Sequence, residues 1–80
     1  MKIAIAGAAG RMGQMLIREI ERTEGASLAG ALEGPSSKAV GTETGGVKIT
    51  SDPAIAIGAA NVVIDFTVPA ATVVRNSPVV

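Results

Sequence analysis

Eighty residues make one small domain at most, and seven basic against seven acidic side chains cancel, so neither a nucleic-acid face nor a membrane-binding patch is implied. A single aromatic residue, Phe66, excludes the stacking platforms of single-strand binders. The absence of Cys and His excludes disulfides, thiolate chemistry, the usual general acid–base and the commonest metal ligand.

Lys2 to Ala6 is continuously apolar after its first residue, the pattern of a short strand buried on both faces. Lys2 followed by Ile3 to Ala9 has the outline of a signal peptide, but Arg11 ends the apolar run too early for an h-region. No stretch reaches the roughly 20 apolar residues of a membrane span, so the expected location is the cytoplasm. Arg11 to about Thr23 reads as a helix. Met12, Leu16 and Ile20 recur at four-residue spacing, Met15 and Ile17 widen the stripe, and Gln14, Arg18, Glu21 and Arg22 fall on the opposite side. Gly25 is placed to end it. Ser27 to Leu32 reads as a second strand, which completes a βαβ unit of parallel strands.

Residues 34–46 are rich in Gly, Ser, Thr and Pro and read as a long mobile loop. Val47 to Thr50 is compatible with a short strand. Ser51 or Asp52 is a candidate N-cap, with Pro53 at the first position of a helix over 53–59. Asn61 to Phe66 reads as a third core strand and 67–69 as the loop at its end. Ala70 to about Asn76 reads as another helix, stopped by Pro78. The fold class expected is α/β, a Rossmann-like parallel sheet with flanking helices, truncated: the chain looks cut in mid-fold.

The chemistry concentrates in Gly7-Ala8-Ala9-Gly10-Arg11-Met12-Gly13, between the first strand and the first helix. The first glycine permits a tight turn, the second a close backbone approach to a ligand, and the third lets the helix lie close on the strand. The helix that starts there offers free N–H groups and a positive dipole end to an anion, here a dinucleotide pyrophosphate. Glu33 stands at the tip of the second strand, about twenty residues beyond the last glycine, where a carboxylate accepts hydrogen bonds from ribose hydroxyls. The G-x-x-G-x-x-G spacing differs from G-x-G-x-x-G and fits reductases with a slightly wider first turn. No Gly-Lys-Ser/Thr is present, so it is not a nucleotide-hydrolysing P-loop. Arg11 opposes the helix dipole, as a cation facing an anionic ligand would. Asp65 to Pro69 falls at the end of the third core strand, where open α/β sheets bind ligands; Thr67 there is a candidate donor and Phe66 a candidate flat contact. Asp65 reads as a cap or loop-fixing carboxylate. Asp52 and Glu43 have no partner carboxylate at a meaningful spacing, and no metal site is expected.

Taken together, I-A-G-A-A-G-R-M-G (5–13), Glu33 and V-I-D-F-T-x-P (63–69) resemble the N-terminus of the dihydrodipicolinate reductase family, also called 4-hydroxy-tetrahydrodipicolinate reductase. The resemblance extends over essentially the whole chain. It implies NAD(P)H-dependent reduction giving tetrahydrodipicolinate in diaminopimelate and lysine biosynthesis. It further implies that Gly7, Ala8, Ala9, Gly10, Arg11 and Met12 hold the pyrophosphate and neighbouring ribose. Glu33 would take the adenosine ribose, and Phe66 and Thr67 would lie near the nicotinamide half. Family members that hold a 2′-phosphate well often carry a basic residue after the ribose acid and another before the proline of D-F-T-x-P; here those positions are Gly34 and Val68. The expectation is a lean toward NADH, softened by Arg11 and Lys38.

The family's substrate domain, with its His-rich catalytic segment, Lys proton donor and S-G-T-A loop, has no counterpart in these residues, nor does its Gly-Thr-Thr cofactor loop. The resemblance therefore implies an incomplete cofactor-binding module over 1–80 with no catalytic residue, inactive alone. The small-molecule substrate is met only in the full-length enzyme, and the family's tetramer, built mainly through the missing domain, is not expected of this chain. The rival readings are another oxidoreductase such as an amino-acid or homoserine-type dehydrogenase, a non-catalytic dinucleotide-binding or sensor module, and a purely structural α/β fragment. The D-F-T-x-P loop argues against the first of these. No dimerisation helix or helix-turn-helix supports the second, and the third leaves the concurrence of the glycines, Arg11 and Glu33 to chance.

Overall fold

The computed structural model describes residues 1–66 and 72–75. In chain order the elements are β1 (Lys2–Ala6), α1 (Arg11–Arg22), β2 (Ser27–Leu32), β3 (Glu43–Thr44), β4 (Val47–Thr50), α2 (Pro53–Ile57), β5 (Val62–Asp65) and β6 (Thr72–Arg75). They build one six-stranded sheet in the order β3-β4-β2-β1-β5-β6. The inner four strands are parallel, while β3 and β6 add to the two edges in antiparallel sense. β1 lies between β2 and β5, with Ile3 opposite Leu28 on one side and Val62 on the other.

Alternation along β1 sends its side chains to two different cores. Ile3 and Ile5 join Ile17 and Ile20 of α1, with Ala8, Ala31 and Ile49 completing that buried cluster. Ala4 faces the other way, toward Ala60 and Val63, with Ala29 and Ile57 at the margin. The α2 side is built from small residues because helix and strand backbones nearly touch there. A Cβ placed on Gly30 of β2 would come within 1.7 Å of the Ala56 carbonyl oxygen. No buried charged or polar residue interrupts either core among the described residues.

The expected helix over 70–76 is not what forms. Residues Thr72–Arg75 are a strand, paired antiparallel with β5 from Val62 opposite Arg75 to Asp65 opposite Thr72. Thr72-Val73-Val74 are β-branched, which disfavours helix and favours a pleated surface, and an antiparallel neighbour needs only a short connection. The loop at 67–69 and the stop at Pro78 lie outside the described residues.

Segment 34–46 is likewise more ordered than a plain loop. Successive turns are closed by Ser37 N–H to Gly34 O at 3.0 Å and Thr42 N–H to Ala39 O at 3.0 Å. Gly41 N–H then donates to Ile49 O and Ile49 N–H to Thr42 O, both at 2.8 Å. β3 and β4 form a hairpin across Gly45-Gly46, both with positive φ (55° and 80°), as the tight turns that match strand twist require. α2 is shorter than expected, ending at Ile57, and of the two candidate caps it is Asp52 whose side chain accepts from Ala54 N–H at 2.9 Å.

In α1 the buried stripe is Gly13, Ile17 and Ile20 with Leu16 half-buried beside it. Met12 and Met15, expected on that stripe, are more than half exposed. The helix lies so close to the turn before it that the contact position is filled by a glycine, and this rotates the apolar stripe away from both methionines. Gln14, expected on the solvent side, is half-buried. The helix ends at Arg22 with Thr23 as C-cap, and Gly25 takes φ 86° two residues beyond.

Candidate functional site

The site is built at the C-terminal end of β1. There the chain turns sharply at Gly7, whose φ of 82° is open to glycine and strained for other residues. The turn is anchored to the neighbouring strand. The Leu32 carbonyl accepts the N–H of Gly7 at 2.9 Å and that of Ala8 at 3.2 Å. Gly10 N–H closes back on Gly7 O at 3.1 Å, and Gln14 N–H on Gly10 O at 2.9 Å starts the helix. The second glycine is tight for a side chain and the third leaves no room for one. A Cβ on Gly10 would lie 3.3 Å from Gly7 O, and one on Gly13 would lie 2.4 Å from the same oxygen and 2.9 Å from Ala8 O. Thus the third glycine is pressed against the turn rather than against the strand.

Gly10 is the N-cap and provides no capping side chain, and the first turn of α1 holds no acidic residue. The positive pole of the helix is therefore uncompensated by the protein, and Arg11 adds to it. Arg11 is exposed and, unlike Arg22, which pairs with Glu19, takes part in no ion pair among the described residues.

Glu33 follows β2 directly. Its N–H donates to Thr50 O at 3.0 Å, which fixes its backbone against β4. Its carboxylate Oε2 accepts the N–H of Ala9 at 2.7 Å. One oxygen of the carboxylate read as a ribose acceptor is thus tied to the glycine turn, and Oε1 has no hydrogen-bond partner among the described residues.

Gly7, Gly10, Arg11, Met12, Gly13, Glu33 and Phe66 line one cleft of about 360 Å³. Phe66 continues β5, its N–H donating to Ala6 O at 2.9 Å, and its ring is partly buried against the α1 core. A smaller apolar groove of about 220 Å³ adjoins along Met12, Met15, Leu16, Glu19 and Phe66. Ala8 is buried, so it brings only backbone to the site, while Ala9 is exposed. Thr67 lies outside the described residues. Lys38, Glu43 and Asp52 do not line the cleft.

Gln14 was missed as a site neighbour. Its Nε2 donates to Ala8 O at 2.8 Å and to Thr44 Oγ1 at 3.1 Å. The signal was present, since side chains in a first helical turn lean back over the chain that precedes them.

A parallel sheet in the order β4-β2-β1-β5 reverses its direction of growth between β1 and β5, and ligands of such sheets bind outside the strand ends at that point. With a glycine turn leading into a helix there and an acid at the tip of the neighbouring strand, this is a Rossmann-type domain of the dinucleotide-binding class. Residues 1–78 match the family model described as "Dihydrodipicolinate reductase, N-terminus", and the chain belongs to that family. A protein of Cupriavidus metallidurans named 4-hydroxy-tetrahydrodipicolinate reductase is 49% identical over 79 residues, and one so named from Ralstonia pickettii is 52% identical over 79 residues. Each match takes in 90% of this chain and 30% of the relative. A third so named, from Methylocella silvestris, is 43% identical over 82 residues, 92% of this chain and 30% of its own length. The chain thus spans about a third of the length of the curated relatives it matches. None of its described helices is long and apolar enough to cross a membrane.

Proposed function

We propose that this chain is the cofactor-holding part of a 4-hydroxy-tetrahydrodipicolinate reductase, binding NAD(P)H for a reduction that gives tetrahydrodipicolinate. The observation that carries the reading is the meeting of a glycine turn, an uncapped helix start, Arg11, Glu33 and Phe66 in one cleft. The backbone fits a dinucleotide, because Gly13 lets the turn and helix close to a distance that a Cβ would forbid. In this reading the backbone of Gly7 to Met12 and the Arg11 guanidinium hold the pyrophosphate. Glu33 Oε1 accepts from an adenosine ribose hydroxyl while Oε2 stays on Ala9. Phe66, with Thr67, borders the nicotinamide half. The cofactor, when bound, supplies the hydride. Substrate binding and proton supply belong to the remaining length that the relatives have, so the 80-residue chain binds cofactor without turnover.

NADH is the preferred form in this proposal. A 2′-phosphate would face the Glu33 carboxylate, and the next residue, Gly34, offers no cation to offset the repulsion. Calorimetric titration of the chain with both cofactors tests each part. Binding of NADH tighter than NADPH is expected; NADPH tighter by about tenfold, roughly 1.4 kcal/mol, removes the preference, and absence of binding to either removes the function.

A further inference from the structure

One peptide group of the glycine turn is held at both of its ends. The Ala8 carbonyl accepts from Gln14 Nε2 at 2.8 Å, and the N–H of the same peptide unit, that of Ala9, donates to Glu33 Oε2 at 2.7 Å. Its Ala8 side is packed, while Ala9 is exposed, so the two hydrogen bonds decide its orientation. The Ala8 side chain is fully buried, the Ala8 N–H is on Leu32 O, and a Cβ at Gly13 would be 2.9 Å from the Ala8 oxygen. Gln14 is itself held, since its amide also donates to Thr44 Oγ1 at 3.1 Å on β3. Residues from α1, from the end of β2 and, through Gln14, from β3 therefore act on a single peptide plane.

A peptide bonded at only one end turns over by compensating rotations of the flanking dihedrals, and this exchanges its N–H and C=O directions. Exchange here would bring the Ala8 oxygen toward the Glu33 carboxylate and toward the cleft that Glu33 lines, where an anionic ligand would meet a carbonyl dipole in place of an N–H. We infer that Gln14 is a positioning residue for dinucleotide binding, acting through the Ala8–Ala9 peptide, with an effect coupled to that of Glu33. Thr44 serves the same peptide one step further out by fixing the Gln14 amide, and this makes the β3–β4 hairpin part of the site's support. The inference rests on the dinucleotide reading above for its consequence on affinity, but the clamp itself operates without ligand.

Gln14→Met keeps the length and helix propensity of the side chain and removes both donors. The measurements are amide hydrogen exchange of the ligand-free 80-residue chain and NADH affinity for wild type, Gln14→Met, Glu33→Ala and the double variant. Exchange at Ala9 accelerates in Gln14→Met while Ile17 and Ile20 keep their protection. NADH affinity falls about three- to tenfold, the worth of one neutral hydrogen bond. The double variant loses less than the product of the two single losses, since either change frees the same peptide. Unchanged exchange at Ala9, or losses that multiply, overturns the inference. If Gln14→Met raises exchange throughout the chain, Thr44→Val decides: faster exchange at Ala9 alone supports the clamp and none overturns it. If no variant nor wild type binds NADH, the function reading fails, and Ala9 exchange still decides the clamp.

Discussion

Gly13 and Gly30 each occupy a point where two backbones meet, yet replacing them by alanine has different expected consequences. At Gly13 the new Cβ would sit 2.4 Å from the Gly7 oxygen, so the glycine turn itself must move. At Gly30 it would sit 1.7 Å from the Ala56 oxygen, so α2 must lift off β2, leaving the cleft untouched. Overpacking of this kind costs about 1–3 kcal/mol, a large fraction of the stability of a small domain. Thermal unfolding with and without NADH separates the two sites. Saturating cofactor is expected to restore much of the loss in Gly30→Ala, whose binding site is intact, and little in Gly13→Ala. An equal restoration in both would mean that Gly13 does not shape the cofactor turn.

At the scale of elements, the Asp52 cap is the cleanest test. α2 runs only from Pro53 to Ile57, so its one side-chain cap is a large share of its local support. Asp52→Ala removes the acceptor of the Ala54 N–H and is expected to cost about 1 kcal/mol, lowering the melting temperature by roughly 4–8 °C. NADH affinity should not change, as no α2 residue lines the cleft. The cap, the first strand, the helix after the glycines and the strands Ser27–Leu32 and Val47–Thr50 were all legible, because each is announced by local chemistry: an Asp-Pro start, an apolar run, a glycine turn. What was not legible depended on the partner. Thr72–Arg75 is a strand because β5 offers an edge, whereas the sequence from Ala70 to about Asn76 reads as a helix. The Gly45-Gly46 hairpin was hidden because a two-residue strand has no periodicity to detect. The exposure of Met12 and Met15 followed from how closely Gly13 approaches the turn, a distance that helical spacing alone does not contain. At the site, the glycines, Arg11 and Glu33 could be placed from spacing; the bond from Ala9 to Glu33 and the grip of Gln14 on Ala8 could not, since both depend on the angle at which the helix leaves the turn.

Over the whole molecule, charge contributes little to holding the fold together. The net charge is zero, no charged residue is buried among the described ones, and the Arg22–Glu19 ion pair joins two well-exposed side chains of α1. In the proposed function binding is different, since the ligand would be an anion and Arg11 and a helix start line the cleft that would receive it. Raising sodium chloride from about 0.05 to 0.5 M, which shortens the screening length severalfold, should leave the melting temperature of the free chain nearly constant while NADH affinity declines. A melting temperature that falls steeply with salt would mean that electrostatics contributes to the fold in a way these contacts do not contain.

The central place of β1 has a consequence for the order in which the chain is assembled during synthesis. One edge of that strand is satisfied early, by β2, where Ile3 lies opposite Leu28. The other edge waits for β5, where Ile3 lies opposite Val62. Until Asp65 has left the ribosome, the strand leading into the glycine turn is a nascent chain with an unpaired apolar edge. That interval, rather than the finished domain, is where the risk of edge-to-edge aggregation is greatest and where a chaperone would have something to grip.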